Sequence, residues 1–166
     1  MSAQHESFVA SLSGVDVAVE TVPERRLGGA IDDFVVGDAV GIPGRDWTDT
    51  RPDSVDWDPT PAALRDAATG VTGAALGIAD YGSVVLPTSP PAAELVSLYV
   101  DRHVAVLDAE DVVPDMDAAI DHLATAVPDE YRDAIIATGP SATADMGALV
   151  TGAHGPSEVR VVLVED

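Results

Sequence analysis

Three stretches of the chain hold the residue types from which a reactive or ligand-binding site is built. The first is Ile135-Ile136-Ala137-Thr138-Gly139-Pro140-Ser141-Ala142-Thr143-Ala144-Asp145. An apolar run enters Gly139-Pro140-Ser141 and leaves through small hydroxyl residues, the pattern of a strand that ends in a polar turn. At the carboxyl edge of a parallel sheet, the backbone N–H groups and hydroxyls of such a turn face the crevice where α/β proteins bind ligands. Gly139, Pro140, Ser141, Thr143 and Asp145 would then suit a small anion, the more so if a helix starts there. Thr143 and Asp145 serve equally well as plain caps of the segment that follows.

The second stretch runs from Thr72-Gly73-Ala74 to Ala79-Asp80-Tyr81-Gly82-Ser83. Asp80 interrupts apolar sequence, and Gly82 allows a positive φ or a close backbone approach. Asp80 is either a turn residue bonded to its own backbone or a polar group aimed at a ligand, with Thr72, Gly82 and Ser83 lining the same place. The third is His154-Gly155-Pro156, just before the last apolar run. A lone histidine is commonly a hydrogen-bonding structural residue, and otherwise a proton carrier. His5, His103 and His122 show no metal-ligand spacing, so no metal site is expected. No Ser–His–Asp order, phosphate-binding loop or dinucleotide fingerprint is present.

The elements that must position these residues follow from periodicity. Residues 2–13 suit an opening helix that ends at Gly14. The alternation over 15–22 predicts a strand with one wet face. Pro23 suits the first turn of a helix carrying Arg25, Leu27, Ile31 and Phe34, and 35–42 reads as a more buried strand. From 43 to 61 the sequence turns to Asp, Pro, Thr and Gly around Trp47 and Trp57. This is read as a long loop folded over the domain edge, with a lid or dimer contact as the other reading. A helix over 62–68, strands over 71–78 and 83–86, a helix over 92–98 and a strand over 104–107 follow. A helix over 113–127, a buried strand over 134–138 and a last strand over 159–164 complete the chain. Strands that alternate with helices predict an α/β fold: one layered domain over 1–166, with a mostly parallel sheet flanked by helices.

Charge narrows the function classes. Acids number 29 against eight basic residues, all of them arginine, for a net charge of −21. The acids are scattered rather than gathered in a tail, so they read as the surface of a folded protein. Self-repulsion of that kind is a device of halophiles, and at about 1 M salt the Debye length falls to about 3 Å and removes most of it. A halophilic protein is therefore expected, with an acidic binder of basic partners as the other reading. Nucleic-acid binding is not expected, because it needs clustered Lys and Arg. There is no cysteine, which excludes disulfides, a thiol nucleophile and thiolate-held iron–sulfur clusters on this chain. With no basic segment followed by an apolar run at the start, and no apolar run of about 18 residues, a cytoplasmic protein without a membrane span is expected.

The same stretches carry a resemblance. Gly70-Val71-Thr72-Gly73-Ala74, with Gly77-Ile78-Ala79-Asp80-Tyr81-Gly82-Ser83-Val84-Val85-Leu86, is similar to the GVTGAD and AIAETGTLVL stretch of the LUD-domain family. Val100-Asp101-Arg102-His103-Val104-Ala105-Val106-Leu107 resembles its LPDxHIxVV strand. Thr138-Gly139-Pro140-Ser141-Ala142-Thr143-Ala144-Asp145, with Gly152-Ala153-His154-Gly155-Pro156, resembles its closing TGPSxTxD and GxHGP pattern. The chain thus looks like a LUD-domain protein of the lactate utilisation protein C-like kind, in a halophilic archaeal-type version. Residues 70–166 carry the motifs, and residues 1–60 match only in the order of their elements.

The resemblance implies a NagB/RpiA/CoA transferase-like fold and a role in oxidising L-lactate to pyruvate. It implies no cofactor on this chain and iron–sulfur clusters on partner subunits. Asp80 stands where the family has Glu, and Tyr81 where it has a small hydroxyl residue. The stretch from Thr88 to Ala92 lacks an arginine found in relatives, for which Arg102 is the candidate substitute.

Three functions are then expected in turn. One is a non-redox subunit of a lactate-oxidising system that binds a small anionic ligand. Another is a stand-alone enzyme of the sugar-phosphate isomerase or CoA-transferase type with Asp80 as catalytic base or nucleophile. The last is a structural interaction module. Homo-oligomerisation stays open.

Overall fold

The computed structural model describes residues 2–44, 49–88, 93–126, 133–145, 148–151 and 154–165, with 143–145 and 148–151 described by their backbone. Trp47, the segment 89–92 and residues 152–153 lie outside them.

The chain opens with α1 (Ala3–Gly14), capped by Ser2, whose hydroxyl accepts from His5 N. Phe8 and Leu12, one turn apart on a single face, are its buried residues. Asp16 then adopts φ 58, a left-handed position that Asp tolerates. β1 (Ala18–Pro23) therefore begins later than its alternating pattern suggests. A 3₁₀ turn over Glu24–Arg26 leads into α2 (Leu27–Phe34), whose Leu27, Ala30 and Ile31 face inward.

β2 (Ala39–Ile42), β3 (Val55–Asp56), α3 (Pro61–Asp66) and β4 (Thr69–Gly73) follow. The described part of the long polar segment, 49–61, supplies the edge strand β3 of the main sheet and packs against that edge. Trp57 packs on the core cluster that holds Val55 and donates its Nε1–H to Pro52 O at 3.1 Å. The two-residue strand β3 inside that segment was not expected from sequence, being too short to show an alternation.

The expected strand over 71–78 is two strands in two different sheets. β4 ends at Gly73, and Ala74 N still bonds to Val106 O at 2.8 Å. The next residue, Ala75, bonds instead to Val85 O at 2.8 Å, and β5 (Leu76–Ile78) continues in the second sheet. β6 (Ser83–Pro87), α4 (Ala93–Tyr99), β7 (Arg102–Asp108), β8 (Val112–Val113) and α5 (Met116–Ala126) come next. They are followed by β9 (Ala134–Thr138), β10 (Ala142–Asp145), β11 (Ala148–Thr151) and β12 (Glu158–Glu165).

The main sheet has six strands in the order β1-β12-β7-β4-β2-β3, and every neighbouring pair is parallel. The expected α/β architecture with a mostly parallel sheet flanked by helices is what the chain forms. On one face Val22, Val71, Val104, Val106, Val162 and Val164 pack on Leu27 and Ile31 of α2. On the other, Ala105, Leu107, Val159, Val161 and Leu163 meet Phe8 and Leu12 of α1 together with Val84 and Leu86.

Those last two belong to a smaller mixed sheet in the order β8-β5-β6-β9, whose far face packs Leu76, Ile78 and Val85 on Ala119 of α5. β10 and β11 form a separate antiparallel hairpin. β9, expected as a buried strand, is instead an edge strand of this sheet, antiparallel to β6, with Ile136 39% exposed.

Candidate functional site

Pairing of β6 with β9 sets Ser83 opposite Thr138. Their hydroxyls meet at 2.6 Å, with Ser83 buried and Thr138 exposed. The chain turns immediately after Thr138. Gly139 has φ 65, and a Cβ there would lie 3.0 Å from Val15 O. Gly82, next to Ser83, has φ 63, and its Cβ would lie 2.7 Å from Leu12 N. Both turns therefore need glycine twice over, for backbone conformation and for space, and both rest on the carboxyl end of α1.

Two residues past Gly139, Ser141 N donates to Pro156 O at 2.8 Å. A Cβ on Gly155 would sit 3.2 Å from Ser141 Cβ, so the Gly-Pro-Ser turn and the His-Gly-Pro turn lie against each other. His154 is exposed beside them. The structure thus brings Gly82, Ser83, Gly139, Pro140, Ser141, His154 and Gly155 to one edge. Asp80 stands at the tip of the neighbouring β5–β6 turn, exposed, with its own N–H donating to Pro114 O at 3.1 Å.

Two expectations about this cluster are corrected. It does not sit at the carboxyl edge of the parallel strands. Pro156 comes two residues before β12 and Val15 three before β1, so the cluster lies at the amino edge of the main sheet. The reason is topological: β9 belongs to the mixed sheet, where it runs antiparallel to β6. Nor does a helix start after Ser141. Thr143 and Asp145 lie on β10, opposite Val150 and Ala148 in the hairpin, so they cap no helix, and the helix end that the turn does meet is the carboxyl end of α1.

Thr72 does not join the cluster. It is fully buried on β4, and its Oγ1 lies 2.7 Å from His103 Nε2 on β7. Burial pushes the His103 imidazole down from 6.5 to about 4, because a charged ring would lose its hydration there. His103 is therefore neutral at pH 7. The pair was legible only as parity, since Gly70 pairs with His103, which puts Thr72 on the same face of the sheet one step along.

Arg102 is also spoken for. Its Nε and Nη2 donate to Glu158 Oε2 and its Nη1 to Phe34 O at 3.0 Å. Arg160 shares that carboxylate through Nη2 at 2.9 Å. The guanidinium expected as a substitute anion binder instead ties β7 to β12 and to the carboxyl end of α2, where a cation is favoured. Glu158 and Arg160 were not singled out from sequence.

At the opposite, carboxyl edge of the sheet, His5 Nε2 reaches Ala109 O at 2.6 Å and its Nδ1 lies 3.6 Å from Glu165. Among the described residues no group of three His, Cys, Asp or Glu side chains is placed to hold a metal, and no helix is long and apolar enough to cross a membrane.

These features define an α/β protein whose glycine-gated turns are held at the amino edge of a parallel sheet. Residues 45–164 match the LUD domain, and the chain belongs to the LUD-domain family. It is 31% identical over 130 residues to Lactate utilization protein C of Exiguobacterium sp., covering 72% of this chain and 56% of that protein. It is 34% identical over 105 residues to the protein of that name from Bacillus subtilis, covering 60% and 43%. The chain thus spans about half the length of these relatives. A crystal structure of a DUF162 family protein from Deinococcus radiodurans shares the fold, with a TM-score of 0.71 and 21% identity over 98% of this chain and 96% of that one.

Proposed function

We propose that this chain is the non-redox subunit of a system that oxidises L-lactate to pyruvate, and that it holds a small carboxylate at the edge formed by Ser83, Thr138, Ser141 and His154. The observation that carries this reading is the packing of the two closing family segments against each other and against Ser83, in a chain whose relatives are named for lactate utilisation. The Ser83 hydroxyl is fixed in the sheet and orients that of Thr138, which stands at the surface and can donate to an incoming carboxylate. Oxidation of lactate releases two electrons and two protons. With no cysteine on this chain to ligate an iron–sulfur cluster, a cluster that accepts these electrons would sit on a partner subunit.

Calorimetric titration of the purified protein with L-lactate and with pyruvate tests the site. Saturable binding of either acid is expected, weakened about tenfold in Ser83→Ala and in Thr138→Val, the loss of roughly one good hydrogen bond. No binding by the wild-type protein, or equal binding by both variants, overturns the site. Co-purification with an iron–sulfur protein from lactate-grown cells tests the subunit role.

We further infer adaptation to a cytoplasm of molar salt. A charge of −21 on 166 residues repels itself in dilute buffer and is screened once the Debye length falls to about 3 Å. The melting temperature should rise steeply between about 0.1 M and about 3 M KCl. Equal values at both would refute the adaptation.

A further inference from the structure

Helix α4 carries large apolar side chains on its exposed face as well as on its buried one. Inward, Val96 and Val100 pack on Val40 and Ala67, with Ala93 and Ser97 also buried. Outward, Leu95, Leu98 and Tyr99 are 41%, 43% and 69% exposed. Their spacing of three and four residues makes one continuous stripe. Among the described residues the other large exposed apolar side chains, Val36, Tyr81, Ile120 and Ile136, each stand on a different segment, as single surface residues commonly do.

Among the described residues Glu94 and Asp101 flank the stripe along the chain, and α3, which carries the exposed Arg65 and Asp66, packs beside α4. The stripe also runs up to the candidate site. Asp101 O, two residues beyond Tyr99, accepts from Ser157 Oγ at 3.2 Å and from Glu158 N at 3.1 Å, immediately after His154-Gly155-Pro156.

We propose that this stripe is the docking surface for a partner protein that presents apolar side chains bordered by Lys or Arg. Leu95, Leu98 and Tyr99 supply the apolar centre, with an aromatic anchor of the kind that dominates interface energies. Glu94, Asp66 and Asp101 supply the border that selects a basic partner. A second copy of this chain fits worse. Antiparallel pairing of α4 on α4 sets Glu94 against Asp101 of the other copy, parallel pairing sets like residue against like, and each copy carries a net charge of −21. A partner seated here lies beside the Ser141 and His154 turns.

The probe is a fluorescein-labelled synthetic amphipathic helix with one leucine face and lysine on the others, titrated by anisotropy at about 1 M KCl to screen long-range attraction. Leu98→Asp is compared with Ile120→Asp, which makes the same charge change at an exposed apolar residue of α5. Both substitutions are at the surface, and circular dichroism checks that both variants fold. Leu98→Asp should weaken binding about tenfold or more, with Ile120→Asp within about twofold of wild type.

Equal affinity in all three proteins, or equal weakening in both variants, overturns the proposal. Tighter binding of a leucine–glutamate peptide overturns the basic border. A wild-type dimer in sedimentation equilibrium that Leu98→Asp dissolves makes a second copy the occupant and likewise overturns it. Lactate enters nowhere in the test, so failure of the ligand site and failure of this surface give different results.

Discussion

The two sheets of this protein treat polar residues in opposite ways. In the parallel sheet the buried polar side chains are paired inside the core, as Thr72 is with His103, or Arg102 with Glu158 at its margin. In the mixed sheet they sit at the strand ends: Ser83 meets Thr138 beside turns that open to solvent. The central strands of the parallel sheet are covered on both faces, so they are mostly apolar and a polar side chain among them needs a partner. β9 has a free edge and a half-exposed face, so its polar end reaches the surface. Burial makes the first sheet a scaffold, and exposure makes the second the place where a ligand can be met.

The largest expected effect tests the joint between them. Phe8 is fully buried and reaches both sheets, packing beside Leu107 of β7 and Leu86 of β6. Phe8→Ala should cost about 3–5 kcal/mol by leaving a cavity there, measured as a loss of unfolding free energy in urea. A cost under about 1 kcal/mol would mean that the two sheets hold together without α1.

A second test concerns the scaffold alone. The folded protein holds His103 at about 4 against 6.5 for the free side chain, so the unfolded chain binds the proton more readily. The stability contributed by neutral His103 is complete above pH 6.5 and lost as pH falls through that window to about 4. The loss amounts to about 3 kcal/mol over the whole window. The carboxylates add their own acid dependence, so the measurement is a difference. Stability against pH should fall less steeply in His103→Gln than in the wild type between these values. Parallel curves would show that the ring is not buried neutral.

These tests also mark where the sequence was readable. The valine-rich runs of β7 and β12 are apolar because both faces are buried, and they were legible as strands and as a parallel sheet. The residues that meet at the amino edge were legible too, since Ser83, Ser141 and His154 stand in glycine-bearing turns. Which edge they occupy was not. The direction of β9 depends on its pairing with β6 some fifty positions earlier, and nothing local to 134–138 encodes a partner. The break between Ala74 and Ala75 was hidden for a related reason, because two alanines continue an apolar run while the backbone changes sheets. Arg102 looked free because Glu158 lies far along the chain.

A smaller effect separates the turns from the core. Gly139→Ala puts a side chain at φ 65, 3.0 Å from Val15 O, and should cost about 2 kcal/mol. The loss should be local, seen as faster amide exchange at residue 139, Ser141, His154 and Gly155 with β7 and β12 unchanged. Uniform acceleration across both sheets would show that the turns and the scaffold unfold as one unit.

The smallest expected effect on stability belongs to Asp80. Its backbone N–H is bonded to Pro114 O, while among the described residues its exposed carboxylate has no hydrogen-bond partner. Asp80→Asn keeps shape and backbone bonding and should change stability by less than about 0.5 kcal/mol. The two roles left for the carboxylate then separate. If Asp80 takes the proton of the lactate hydroxyl while the Cα hydrogen leaves as hydride to an acceptor on the partner subunit, turnover of the assembled system should fall by about a hundredfold, the usual scale for losing a general base. Binding of pyruvate, which has no hydroxyl proton to lose, should stay within about twofold. We expect that split. Unchanged turnover in a fully folded variant would make Asp80 a turn residue and leave the edge to its hydroxyls alone.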